Sequence, residues 1–160
     1  MIQIKNAAEL QKMRKACAIS AAALKAGGEA IEPGITTAEI DKIIYDFIVR
    51  HGARPNFLHL YGFPATACIS VNDTVIHGIP NKQQQIRPGD IVSIDTGCKI
   101  DGFNGDNACT YACGKIDLEA QRLLDVTKES LHRGIEMACG GNRVGDIGHA
   151  VQSYVEENGR

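Results

Sequence analysis

A run of β-branched residues that turns at Asp101–Gly102 constrains the fold of this chain more than any other feature. Residues 91–106 read IVSIDTGCKIDGFNGD, and an Asp-Gly pair within such a run is typical of an antiparallel hairpin. A two-residue loop at this pair places Gly97 opposite Asp106. Because strand side chains alternate between faces, Asp95 then shares a face with Asp106. A four-residue loop at 99–102 would also put both acids on one face, whereas a register slip by one residue would separate them.

Two like charges on one face of a sheet repel each other unless a proton or a cation lies between them. Oxygen ligands on neighbouring strands suit Mn, Fe, Co or Zn, which would make Asp95 and Asp106 metal ligands. The alternative is that both are ordinary acids, Asp95 half-exposed in its strand and Asp106 at a strand edge. A catalytic metal usually needs three or more protein ligands, so spacing alone leaves both interpretations open.

Two helices precede the hairpin. Capping-box patterns at residues 6–9 and 36–39 predict helices that run towards Ile31 and His51. Pro33 follows the first helix and stops it, because proline cannot continue a helix. In the second helix the apolar residues recur at helical spacing, which predicts one buried face.

A sheet region and two further helices complete the order. Residues 57–113 alternate β-branched runs with Gly, Pro and Asn, which predicts strands and loops. Helical periodicity returns over residues 117–139. Its apolar stripe consists of Leu124, Leu131, Ile135 and Ala138. A fourth helix, with Ile147, Val151 and Val155 expected inward, ends at Asn158–Gly159. This order predicts a mixed α/β (α+β) fold.

Composition limits the function classes. The 160 residues are 44% hydrophobic and 22% charged, with a net charge of -2, which is the balance of one soluble globular domain. No basic excess indicates nucleic-acid binding, and no apolar run has membrane-spanning length. The N-terminal residues lack a secretory signal pattern, so we expect a cytoplasmic protein. None of the six cysteines forms a C-x-x-C pair, which favours reduced, packed thiols over a zinc site.

Several blocks together resemble type I methionine aminopeptidase. They are GFPATACISVNDTVIHGIP at 62–80, RPGDIVSID at 87–95, DGFNGD at 101–106 and GNRVGDIGHAVQSYVEENG at 141–159. The resemblance extends in order and spacing from Met1 to Gly159. It implies a pita-bread fold, in which two pseudo-symmetric halves enclose a dinuclear metal site. It also implies removal of the initiator methionine from nascent chains when the next residue is small.

The resemblance assigns roles to the acids and to one histidine. It makes Asp95 a metal ligand and Asp106 a ligand that bridges two divalent ions, which would be Co, Mn, Fe or Zn. It makes His77 the histidine that contacts substrate near the scissile peptide and stabilises the transition state. The implied substrate is the N-terminal methionine of a nascent peptide, including peptides still on the ribosome.

The resemblance also identifies a pocket. Phe63 and Cys68 match positions that line the methionine side-chain pocket, and Asn72 lies near a loop that binds a monovalent cation. The family often carries tyrosine two residues before the glycine at position 62. In this sequence that position is Leu60, and Tyr61 follows it.

The family completes its metal site with a histidine and two glutamates C-terminal to the helix that ends at Gly159. We therefore expect residues 1–160 to form a single, truncated peptidase domain: the N-terminal half of the fold plus the next two helices. Such a chain would be inactive alone and would self-associate through its exposed half-domain surface. The alternatives are a non-catalytic pita-bread binding module and a fragment of a related Xaa-Pro-type metallopeptidase, such as prolidase or aminopeptidase P.

Overall fold

The computed structural model describes residues 3–159, and the chain divides between Lys115 and Ile116 into two compact units. The N-terminal unit contains α1 (Ala7–Glu29), α2 (Thr37–Arg50), β1 (Arg54–Pro55), β2 (Ala67–Val71), β3 (Ile91–Ile100) and β4 (Phe103–Ala112). The C-terminal unit contains α3 (Leu118–Glu136) and α4 (Val144–Asn158). The predicted mixed α/β order is confirmed. No helix within residues 3–159 is long and apolar enough to cross a membrane.

Reciprocal caps begin the first two helices, as the sequence predicts. The Glu9 N–H donates to Asn6 Oδ1 at 3.0 Å, and the Asn6 N–H donates to Glu9 Oε2 at 2.8 Å. Thr36 and Glu39 repeat this arrangement at the start of α2. Both pairs satisfy backbone donors that a helix N-terminus leaves free.

The sheet is antiparallel and centred on β3. β1 and β2 pair along one edge of β3, and β4 pairs along the other. The turn between β3 and β4 consists of Asp101 and Gly102, both with positive φ (52° and 85°), which is typical of a two-residue hairpin loop. Gly97 lies opposite Asp106, so the two-residue register is confirmed. Asp101 is a turn residue whose carboxylate pairs with Lys15 Nζ at 2.7 Å.

The even-numbered residues of β3 face the first two helices. The core of this unit consists mainly of Ile40, Ile44, Ile48, Ile69, Ile86, Val92, Ile94 and Cys98, all at most 1% exposed. α1 comes very close to β4: a Cβ on Gly105 would lie 2.4 Å from the Ala16 carbonyl oxygen. The odd-numbered residues of β3 therefore lie on the opposite face of the sheet.

The C-terminal unit is a helical hairpin that packs through small residues. Ser130 and Gly134 are the buried residues of α3, and a Cβ on Gly134 would lie 2.8 Å from Val151 Cγ2 of α4. The apolar stripe predicted for α3 is not this packed face, since Leu131 and Ile135 are 58% and 59% exposed. Small side chains let α4 approach on the adjacent face of the helix instead.

Candidate metal centre and substrate pocket

Asp95 and Asp106 lie together on the face of the sheet opposite α1 and α2. Asp95 is half-buried and Asp106 is exposed. Burial raises the pKa of Asp95, and the neighbouring carboxylate of Asp106 raises it further through its charge and a shared hydrogen bond, whereas His77 acts in the opposite direction. The two carboxyl groups are thus close enough to share one proton or one cation.

The loop that carries His77 is closed onto the outer edge of β2. The Ile69 N–H donates to the Gly78 carbonyl at 2.8 Å, and the Gly78 N–H donates to Ser70 Oγ at 3.1 Å. A Cβ on Gly78 would lie 2.2 Å from the Ile69 carbonyl oxygen, so only glycine permits this approach. His77 itself has φ +57°, a left-handed conformation that is uncommon outside glycine and often marks a functional position.

A cavity of about 480 Å³ lies beside the acids. It is lined by Phe57, Leu60, Tyr61, Gly62, Phe63, Pro64, Cys68, His77, Ile79 and Asp95. Cys68 is 7% exposed and lies directly opposite Asp95 in the β2–β3 register. Burial, with the charges of Asp95, Asp106 and Asp41, raises the pKa of Cys68 to about 11. The Cys68 thiol is consequently neutral near pH 7, and the cavity wall is largely apolar.

The segment before Phe63 contributes to the wall of this cavity. His59 and Tyr61 have positive φ values of 67° and 49°. Tyr61 is fully exposed and Leu60 is half exposed. Both residues line the cavity, so the position where the family often carries tyrosine is occupied by an aliphatic side chain.

Asn72 lies at the end of β2, where its side chain is occupied by main-chain and carboxylate contacts. Asn72 Oδ1 accepts from the Ile91 N–H at 3.0 Å, and Asn72 Nδ2 donates to Asp90 Oδ1 at 2.9 Å. These bonds fasten the turn after β2 to the start of β3. Asn72 does not line the cavity described above.

Sequence reasoning missed Asp41. Its Oδ1 accepts two consecutive main-chain donors at the start of β2, the Thr66 N–H at 2.9 Å and the Ala67 N–H at 2.8 Å. Burial raises the pKa of Asp41, although both hydrogen bonds oppose that shift. The signal was present: Asp41 follows Thr37 by four residues and precedes Ile44 by three, so an acid falls on the buried stripe of α2.

The two aspartate carboxylates match part of the ligand set of a divalent-metal site. Two carboxylates on adjacent strands are suitable oxygen ligands for a divalent cation. Within residues 3–159, no group of three or more His, Cys, Asp and Glu side chains is arranged to hold a metal ion. Asp95 and Asp106 thus offer two oxygen donors, fewer than the three or more protein ligands that a catalytic metal usually has.

A sequence profile of metallopeptidase family M24 matches residues 11–160. The chain belongs to metallopeptidase family M24. The methionine aminopeptidase of Clostridium perfringens is 49% identical to this M24 chain over 159 residues, which are 99% of the chain and 64% of that relative. Methionine aminopeptidase 1 of Bacillus subtilis is 44% identical over 98% of the chain and 62% of its own length. The M24 chain thus spans less than two thirds of these relatives.

Solved structures of related proteins have the same fold as this chain. The crystal structure of methionine aminopeptidase from Rickettsia prowazekii superposes with a TM-score of 0.95 at 38% identity, covering 98% of the M24 chain and 63% of that structure. Prolidase from Pyrococcus furiosus has a TM-score of 0.83 at 22% identity, which shows a shared fold alone. The predicted family resemblance and the predicted pita-bread fold are both confirmed.

Proposed function

We propose that this chain carries the methionine pocket and two metal ligands of an aminopeptidase that removes the N-terminal methionine from proteins. One observation carries the proposal: the apolar cavity of about 480 Å³ shares its wall with Asp95 and His77. A side chain held in this cavity would bring the adjoining peptide bond beside the acids. The names of three similar relatives, methionine aminopeptidases at 44–49% identity, support the same substrate.

The pocket suits a long, uncharged side chain. Phe63 contributes an aromatic wall, and Cys68 contributes a neutral thiol because its pKa is raised to about 11. A methionine side chain is unbranched and polarisable, and it packs favourably against aromatic rings. A negatively charged side chain would lose its hydration in this cavity and would face the Asp95 carboxylate.

Asp95 and Asp106 would hold the divalent ions, Co, Mn, Fe or Zn, with Asp106 bridging two of them. A bound divalent ion of this kind polarises a carbonyl group and lowers the pKa of water. His77 lines the same cavity as Asp95, and its ring would donate a hydrogen bond to the oxyanion that develops at the scissile carbonyl. Asn72 would lie near a loop that binds a monovalent cation.

The number of donors limits what this stretch of chain does alone. With two carboxylates alone, metal affinity should be weak, and within residues 3–159 no further carboxylate lines the cavity to shuttle protons. We therefore expect a pure preparation of residues 1–160 to hydrolyse Met-Ala peptides negligibly. Turnover above the blank with added Mn or Co would contradict this expectation.

The pocket is tested separately by binding. L-Methionine should cause saturable shifts of the Phe63, Cys68 and His77 signals in NMR spectra of residues 1–160, and L-alanine should not. Equal responses to the two amino acids would contradict a methionine pocket. Neither alternative, a non-catalytic binding module or an Xaa-Pro-type peptidase, is better supported than a methionine aminopeptidase. Stronger binding of an Xaa-Pro dipeptide than of methionine would favour the Xaa-Pro-type peptidase instead.

A further inference from the structure

Two hydrogen bonds hold the edge of β2 that faces away from β3. In a β-strand, the N–H groups of residues two apart point towards the same edge. At the edge of β2 away from β3, these are the N–H groups of Ala67 and Ile69. The Ile69 N–H donates to the Gly78 carbonyl of the His77 loop at 2.8 Å, and the Ala67 N–H donates to Asp41 Oδ1 at 2.8 Å.

Asp41 holds the end of β2 that adjoins the cavity. The same oxygen accepts the Thr66 N–H at 2.9 Å, so one carboxylate fixes two successive peptide groups. Thr66 and Ala67 are 1% and 0% exposed, and water therefore does not replace Asp41 as their acceptor. Thr66 lies three residues after Phe63 and two before Cys68, the two residues assigned to the pocket wall.

We propose that Asp41 is a positioning residue that fixes the pocket wall from Phe63 to Cys68 through the Thr66 and Ala67 N–H groups. The assignment of that wall to a methionine side chain rests on the proposed function, but the positioning itself does not. Hydrogen bonds to a charged acceptor are about twice as strong as neutral ones. Loss of the carboxylate leaves two buried donors unpaired, so the segment opens locally while the helices and the sheet stay folded.

Three buried thiols give this proposal a direct test. Cys68 lies on the pocket wall, whereas Cys98 and Cys113 are buried at 0% and 1% exposure on other parts of the unit. Alkylation by iodoacetamide under native conditions, read by peptide mass spectrometry, reports how often each thiol becomes accessible and how readily it ionises. The charge of Asp41 also raises the pKa of Cys68, so Asp41→Asn, which removes the charge and keeps the acceptor oxygen, separates ionisation from opening. A local role for Asp41 predicts faster reaction at Cys68 alone, whereas global destabilisation predicts faster reaction at all three thiols.

The variants are Asp41→Ala, Asp41→Asn and the control Asp46→Asn, which changes a half-exposed acid of α2 paired with Lys42 at 2.7 Å. In Asp41→Ala we expect the Cys68 rate to rise at least about tenfold relative to the Cys98 and Cys113 rates, because two charge-assisted hydrogen bonds are lost. In Asp41→Asn the amide oxygen still accepts both donors, so most of the protection returns. Asp46→Asn should match the unchanged chain.

Equal acceleration at all three thiols, or no acceleration at Cys68, would overturn the proposal. Titration with L-methionine separates this outcome from failure of the proposed function. If the unchanged chain does not bind methionine, the substrate assignment fails, and the alkylation ratios still decide the role of Asp41. If it does bind, Asp41→Ala should weaken binding about tenfold or more and Asp41→Asn less, since the wall no longer holds its shape.

Discussion

Replacing Gly78 by alanine should displace the loop that carries His77. The added methyl would lie 2.2 Å from the Ile69 carbonyl oxygen, 2.7 Å from its carbon and 2.9 Å from Ser70 Cα, whereas ordinary contact begins near 3.4 Å. All three obstacles are main-chain atoms of a buried strand, so the loop must retreat by about 1 Å. A retreat of this size stretches the bond from the Ile69 N–H beyond about 3.5 Å and breaks it.

The expected cost follows from the bonds that are lost. The loop is fastened by the bond from Ile69 and by the bond from Gly78 to Ser70. Each of the two hydrogen bonds contributes about 0.5–1.5 kcal/mol, so losing both lowers the free energy required to open this loop by roughly 1–3 kcal/mol. Amide exchange of the Ile69 N–H measures that free energy directly, and exchange should accelerate by about one to two orders of magnitude.

A matched glycine provides the control. Gly148 lies within α4, and an added Cβ there meets nothing within 4 Å. Gly148→Ala should therefore stabilise its helix by roughly 0.5–1 kcal/mol and leave Ile69 exchange unchanged. If Gly78→Ala preserves both the Ile69 protection and the NMR signals of His77, the argument that glycine sets the His77 loop is refuted.

Three further predictions concern other parts of the N-terminal unit. Gly28→Ala places a methyl 2.2 Å from ring atoms of Tyr111 and should cost about 1–3 kcal/mol in urea unfolding through overpacking; unchanged stability would argue against this close helix–sheet contact. Because the pKa of Cys68 is raised to about 11, the unfolded chain releases the thiol proton first, so the free energy of unfolding should fall as pH rises from about 9 to 11. Cys68→Ala should lessen that fall. An equally steep fall in the variant would show that the Cys68 thiol does not cause this pH dependence. The pKa of Asp41 is also raised, so the stability of the chain relative to Asp41→Asn should decrease as pH rises through and above about 3.9. An increase in relative stability over this range would show that folding lowers the pKa of Asp41.

The hairpin was predictable because two local signals agreed. Asp101–Gly102 specifies a two-residue turn, and strand alternation then places Asp95 and Asp106 on one face. The structure has that register, with Gly97 opposite Asp106. The capping pairs that begin α1 and α2 were predictable for the same reason, since each depends on residues only three positions apart.

Contacts between residues distant in sequence were not predictable. The acceptor for the Ala67 N–H is Asp41, 26 residues earlier, and the fit of Gly78 against Ile69 depends on how the loop returns to β2. The buried face of α3 was also missed, because Gly134 and Ser130 carry no hydrophobic signal although they form the helix contact. Apolar periodicity finds large buried side chains and overlooks faces where small residues allow close approach.

Binding of Mn²⁺ tests the central claim most directly. Because Mn²⁺ is paramagnetic, it broadens the NMR signals of nearby residues. We predict that Mn²⁺ first broadens the signals of Asp95, Asp106 and Ala108, the β4 residue opposite Asp95, and that Asp95→Asn or Asp106→Asn abolishes this effect. Asp101→Asn, which changes the turn acid of the same hairpin, should leave it intact. Broadening that persists in Asp95→Asn and Asp106→Asn, or that centres on Asp101, would contradict a metal site formed by these two aspartates.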